Sequence, residues 1–153
     1  MIIVQPEPLH PTQLLEQFTS SVSQAGAIVS FTGCVRAKSK DAEVSALQLD
    51  SYPGFTEKVI SAIVQEARER FSVLELLVAH RHGLISQAEP IVFVAAAAVH
   101  RRAAFEAADY LMDQLKTRAP FWKKEIGPVG SRWIEPRAQD YKDLGRWTGE
   151  DGG

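Results

Sequence analysis

The chain has 153 residues, of which 45% are hydrophobic and 24% charged, and its formal net charge is -2. That length fits one globular domain burying roughly two thirds of the surface its unfolded form exposes, and the composition excludes disordered and fibrous classes. No global positive field is present to hold nucleic acid, so any anion site must come from a local basic cluster, while a single cysteine, Cys34, excludes an internal disulfide and a cysteine-rich metal site and suits a reducing compartment.

The opening MIIVQPEPLH has neither a basic leader nor a long apolar run, and no segment approaches the ~20 apolar residues of a membrane span. A cytoplasmic protein without membrane or nucleic-acid partners is expected. Ile2 to Val4 reads as a short strand, and Pro11 opens a helix striped by Leu14, Leu15, Phe18 and Val22. GAIVSFTGCVR, Gly26 to Arg36, reads as a buried strand that runs into a polar loop, AKSKDAE. VSALQLDSY alternates Leu47 and Leu49 with Gln48 and Asp50, the period of a half-buried strand, and Pro53-Gly54 turns the chain. Phe55, Val59, Ile60, Ile63, Val64, Ala67 and Phe71 then trace an amphipathic helix. VLELLVAH and PIVFVAAAAV are further strands separated by HGLISQAE. A long helix from about His100 to Ala119 carries Phe105, Ala108, Met112 and Leu115 on one face, after which WKKEI and SRWIE flank Gly-Pro-Val-Gly as a hairpin. Consecutive strands without intervening helices predict an α+β domain with a mostly antiparallel or mixed sheet. The apolar pattern ends at Ala138, so residues 1–137 are expected to form the domain and 138–153 a partly disordered tail.

Several clusters could carry chemistry. In LKTRAPFWKKE, Pro120 disfavours helical geometry at Ala119, so the long helix stops there with Lys116 in its last turn. A structural Lys116 would complement the helix dipole and pair with Asp113, together worth ~0.5 to 1 kcal/mol. A functional Lys116 would stand beside a rigid aromatic wall, where desolvation lowers its pKa and frees it as acid, base or nucleophile. Lys123 is either a solvated strand lysine or its companion. In VHRRAAF, His100, Arg101 and Arg102 oppose the dipole at a helix start unless an anion binds there, the alternative being pairing with acids elsewhere. Arg36 ends a strand, which is a weak signal alone. Cys34 reads as a small buried residue rather than a nucleophile. His80 and His82 lack convergent carboxylates and read as structural rather than as a metal pair.

Taken in order, FTGCVR, LDSYPGFTEK, the histidine-arginine of AHRHG, IVFVAAAAVHRRAAFEAADYLMDQLKTRAPFWKKE and the RW of SRWIE resemble the large, catalytic subunit family of molybdopterin synthase. The resemblance runs from about Gly26 to Glu135. It implies an α/β-hammerhead-type single domain with a mixed or antiparallel sheet and an additional small antiparallel sheet. It also implies a homodimer at the centre of a heterotetramer, with a small ubiquitin-like sulfur carrier at each end whose C-terminal Gly-Gly thiocarboxylate enters the pocket. The implied reaction moves sulfur from two successive thiocarboxylates into cyclic pyranopterin monophosphate, forming the dithiolene of molybdopterin, with no cofactor or metal. By the same resemblance Lys116 and Lys123 are catalytic, Lys116 leading, and Arg36, His100 and Arg101 bind the substrate anion. Phe31 and Met112 line the pocket, and the partner's tail runs near Pro120, Phe121 and Trp122. A non-enzymatic anion-binding adaptor using His100 and Arg101 is the competing reading, and it has no need of the two lysines. The terminal Gly152-Gly153 departs from the pattern, since the donor tail belongs to the small subunit. Arg101 and Lys116 lie 15 residues apart on one helix, about 22 Å at ~1.5 Å per residue, which predicts a site shared between two copies of the chain.

Overall fold

In the computed structural model, which describes residues 1–40 and 42–149, the two apolar runs become β6 (Glu75–Arg81) and β8 (Pro90–Ala98). They lack alternation because both faces of their sheet are covered. The sheet runs β1-β6-β8-β2, with β1 (Ile2–Gln5) parallel to β6 and the other pairs antiparallel. One face carries Leu77, Ala79, Phe93, Ala95 and Ala97 against α1 (Pro11–Ser21) through Leu14, Leu15 and Phe18. The other carries Leu76, Val78, Val92, Val94 and Ala96 against α2 (Phe55–Arg70) and α3 (Arg101–Arg118). The four alanines that end β8, Ala95 to Ala98, leave room for helices on both sides.

β2 (Ala27–Cys34) is an edge strand, which corrects the expectation of a buried one. Most of it is half-buried or exposed, and its register slips between Gly33 and Cys34. Cys34 is exposed as a consequence, contrary to the buried role expected of it. The loop after it holds a short ladder of β3 (Lys38–Ser39) and β4 (Ala42–Glu43). A second four-stranded sheet, all antiparallel, runs β10-β9-β5-β7. It joins β5 (Ala46–Ser51) to β9 (Phe121–Gly127) and β10 (Gly130–Ile134), and on its other side to β7 (Gly83–Ser86), a strand hidden in what reads as a connecting loop. Val35, Val44, Leu47, Leu49 and Ile85 form its core. The α+β class, mixed sheet and added antiparallel sheet thus agree with expectation.

The first part of the C-terminal segment, expected as a partly disordered tail, is helical. Residues Ala138–Gly145 form α4, and Trp147 packs edge-on against Phe71 and Tyr110. Asp113 of α3 accepts hydrogen bonds from Trp147 Nε1 at 2.7 Å and Arg146 Nη2 at 2.6 Å. One tryptophan and one arginine, rather than an apolar stripe, hold this helix, so hydrophobic periodicity does not reveal it. Gly152-Gly153 lies outside the described residues. No helix among the described residues is long and apolar enough to cross a membrane.

Candidate active site

Lys116 owes its position to the way α3 ends. Ala119 turns extended and Pro120 follows, while Thr56 Oγ1, fully buried at the start of α2, donates to the Pro120 carbonyl at 3.2 Å and accepts from the Tyr52 N–H at 2.8 Å. The corner is therefore tied to α2 rather than free. The pairing with Asp113 does not form, because Arg146 and Trp147 occupy that carboxylate. Among the described residues Lys116 has no ion-pair partner, whereas its neighbour Arg118 is held by Glu66 at 2.6 Å.

β9 then brings Lys123 back beside Lys116. Strand alternation puts Phe121, Lys123 and Glu125 on one face and Trp122 with Lys124 on the other. Trp122 packs edge-on with Trp133 on that outer face. Phe121 and Trp122 therefore point to opposite sides, and the two do not line one wall.

Positive charge concentrates where the two lysines meet. Burial lowers the Lys123 pKa to about 8, and the charges of Lys116 and Arg36 push the same way against Glu125 and Asp140. Lys116 is more exposed, which limits what desolvation can do. Its pKa is also drawn below the ordinary lysine value, by burial first, with Arg137 and Arg36 adding and the Asp140 carboxylate opposing. Arg36, Lys116 and Lys123 thus lie near enough for their charges to act on one another. Arg137 and Asp140 join them from α4, and the sequence reading missed both. Asp140 accepts the Arg137 backbone N–H at 2.7 Å, with its side chain 12% exposed and 3.6 Å from the Arg137 guanidinium. The acid three residues after a helix start is the sequence signal that marks this pair.

His100 and Arg101 stand elsewhere. They begin α3, both exposed, and neither has an acidic partner among the described residues. α3 continues unbroken from Arg101 to Arg118, so its start and its Lys116 turn remain about 22 Å apart at ~1.5 Å per residue. Phe31 and Met112 line a groove of about 410 Å³ with Val29, Arg102, Phe105 and Asp109. The groove follows α3 from its basic start to the turn below Lys116. Among the described residues no three His, Cys, Asp or Glu side chains gather as a metal site.

This arrangement can bind anions, hold a polar ligand between two lysines of unequal basicity, and move a proton at Lys123 near neutral pH. The family model described as "MoaE protein" matches residues 4–118. The molybdopterin synthase catalytic subunit of Caulobacter vibrioides is 49% identical over 150 residues, covering 98% of this chain and 99% of that protein. The solved molybdopterin biosynthesis MoaE protein of Burkholderia ambifaria superposes with a TM-score of 0.82 at 36% identity, covering 97% of each chain. The crystal structure of molybdopterin synthase from Staphylococcus aureus gives a TM-score of 0.77 at 30% identity, covering 87% of this chain and 94% of that one.

Proposed function

This chain belongs to the MoaE family and is a molybdopterin synthase catalytic subunit of molybdenum cofactor biosynthesis, and from that we propose how its residues do the work. A small ubiquitin-like partner presents its C-terminal thiocarboxylate at the lysine pocket. Cyclic pyranopterin monophosphate is held there, and sulfur passes from carrier to substrate twice. At each transfer the thiocarboxylate sulfur takes the place of an oxygen substituent on a carbon of the pterin side chain. A C–S bond forms as a C–O bond breaks, and the oxygen leaves as water or with the phosphate. Water then cleaves the carrier's C–S bond, leaving a carboxylate on the carrier and the sulfur on the pterin. The product carries the dithiolene.

The residues divide by charge. Lys116, whose pKa burial draws below the ordinary lysine value against the opposing Asp140 carboxylate, leads the reaction, in its ammonium form stabilising negative charge on the attacked carbonyl or protonating a leaving oxygen. Lys123 is partly neutral near pH 8 and takes up a proton or orients the substrate. Arg36 and Arg137 draw in the anions. His100 and Arg101 hold the substrate phosphate from the second protomer of a homodimer, with Phe31 and Met112 along the connecting groove. A small subunit at each end makes the assembly a heterotetramer.

The observation that carries this reading is the split of the basic residues. Arg36, Lys116 and Lys123 gather at one end of α3, while His100 and Arg101, without an acidic partner among the described residues, stand at the other. The test is reconstitution with thiocarboxylated small subunit and cyclic pyranopterin monophosphate. Molybdopterin should appear at two carriers consumed per product. Substrate left unsulfurated while the carrier remains bound would overturn the proposal.

A further inference from the structure

Strand alternation on β6 that turns Leu76 and Val78 toward α2 and α3 turns His80 the same way. His80 is 8% exposed. Its Nδ1 lies 2.9 Å from the Arg81 carbonyl oxygen, which can only accept, so Nδ1 carries the hydrogen and donates. The ring lies nearly flat on Phe121, with centroids 4.0 Å apart and planes at 17°. A flip would break both contacts, so orientation and tautomer are fixed together.

Burial drives the His80 pKa down to about 4, with the Arg81 carbonyl opposing and the charges of Lys116, Lys123 and His82 adding to the effect. The imidazole is neutral at physiological pH and Nε2 is a bare lone pair. Nε2 has no hydrogen-bond partner among the described residues, yet no fully buried side-chain nitrogen or oxygen there lacks one. Nε2 therefore keeps some contact with solvent, and the charges of Lys116 and Lys123 reach the ring that carries it. The charged groups gathered at the two lysines are of two kinds. Arg36, Lys116, Lys123 and Arg137 in their charged forms only donate. The carboxylates accept but are engaged, Glu125 by Arg132 at 3.0 Å and Asp140 by Arg137. Phosphate and carbonyl oxygens find donors among these cations, whereas Nε2 offers a ligand N–H an acceptor that is neutral across the physiological range and has no partner among the described residues.

We propose that His80 is a specificity-determining residue of this pocket, its Nε2 accepting a hydrogen bond from a ring N–H or amino group of the pterin. The inference rests on the substrate reading above and adds the contact by which the heterocycle, rather than its phosphate, is selected.

The direct test labels histidine and lysine nitrogens in the full-length protein and adds cyclic pyranopterin monophosphate. Nε2 should move upfield while staying unprotonated, together with the lysine signals. Lysine signals that move while Nε2 stands still would overturn the role of His80 and leave the substrate reading intact. No movement at saturating substrate would overturn both. Two variants separate recognition from scaffolding. His80→Asn retains a donor for the Arg81 carbonyl but does not reach the Nε2 position, and His80→Gln places an acceptor near Nε2 but gives up the Arg81 anchor. His80→Asn, which keeps the Arg81 anchor but loses the stack on Phe121, should melt somewhat lower and raise KM for the pterin about tenfold, the scale of one hydrogen bond. His80→Gln should melt lower with KM within about threefold of wild type, since the acceptor survives. Equal KM values for the two variants, or the reverse order, would overturn the proposal.

Discussion

Replacing Trp147 with alanine should release α4 from the body of the protein. The indole makes edge-to-face contacts with Phe71 at 5.7 Å and Tyr110 at 5.3 Å, each worth ~0.5 to 1.5 kcal/mol. The Arg70 guanidinium lies 5.5 Å from its ring centroid, adding ~0.5 to 1 kcal/mol. Nε1 donates to Asp113 at 2.7 Å, but Arg146 still satisfies that carboxylate, so little of this bond is lost as an unpaired charge. The contacts share partners and do not add in full. A net loss of about 2 to 3 kcal/mol corresponds to roughly 30- to 150-fold more frequent opening of the segment. Native-state hydrogen exchange of the amides from Tyr141 to Arg146 should accelerate by that factor, while β6 and β8 keep their protection. Sulfur transfer should fall as well, since α4 carries Arg137 and Asp140 to the lysines. Unchanged exchange in α4 would refute the reasoning that aromatic and charged contacts at Trp147 hold the helix down.

Lys116→Ala should abolish molybdopterin formation with the fold intact, and Lys123→Ala should slow it less. A larger loss at Lys123 would exchange their roles. Lys123→Met should stabilise the protein at pH 7 by about 1 kcal/mol, because folding no longer buries a reluctant ammonium. The sign follows from a folded pKa of about 8 against an ordinary 10.5: the wild type carries the penalty below the folded value and recovers stability as pH rises through that window. The Met variant should lack that rise, and denaturation curves at pH 7 and pH 10 would show it. Replacing the partner's penultimate glycine with a bulky residue should block transfer if the tail enters a narrow channel, and turnover assays with that carrier would show an unchanged rate if it does not.

The parts of the fold with strong period were legible from the residues. The helices striped at three to four residues and the apolar runs of β6 and β8 fall where their spacing puts them. β2 misled because a run covered in one segment by α1 and exposed at a sheet edge looks, residue by residue, like a buried strand. β7 is only four residues long, too short to show alternation against its neighbours. α4 was invisible because its docking rests on the adjacent Arg146 and Trp147 meeting Asp113, 33 and 34 residues earlier in the chain. At the site, the rigid helix end at Pro120 made Lys116 legible, and the family motif supplied its companion Lys123. The Asp113 pairing was a fair local inference defeated by a long-range competitor, Arg146. His80 read as structural because the sequence does not reveal which ring nitrogen is anchored and which is left open.

Subunit mixing tests most directly whether the lysines of one protomer work with His100 and Arg101 of another. Lys116→Ala and Arg101→Ala variants, each inactive alone, would be exchanged into mixed dimers, with exchange verified by mass spectrometry of tagged chains. In a shared-site dimer one pocket carries both defects and the other neither, so a mixed dimer should regain about half of wild-type molybdopterin formation, as expected for one intact site of two. Verified exchange with no recovered activity would mean that each pocket is built from one chain, contradicting the account.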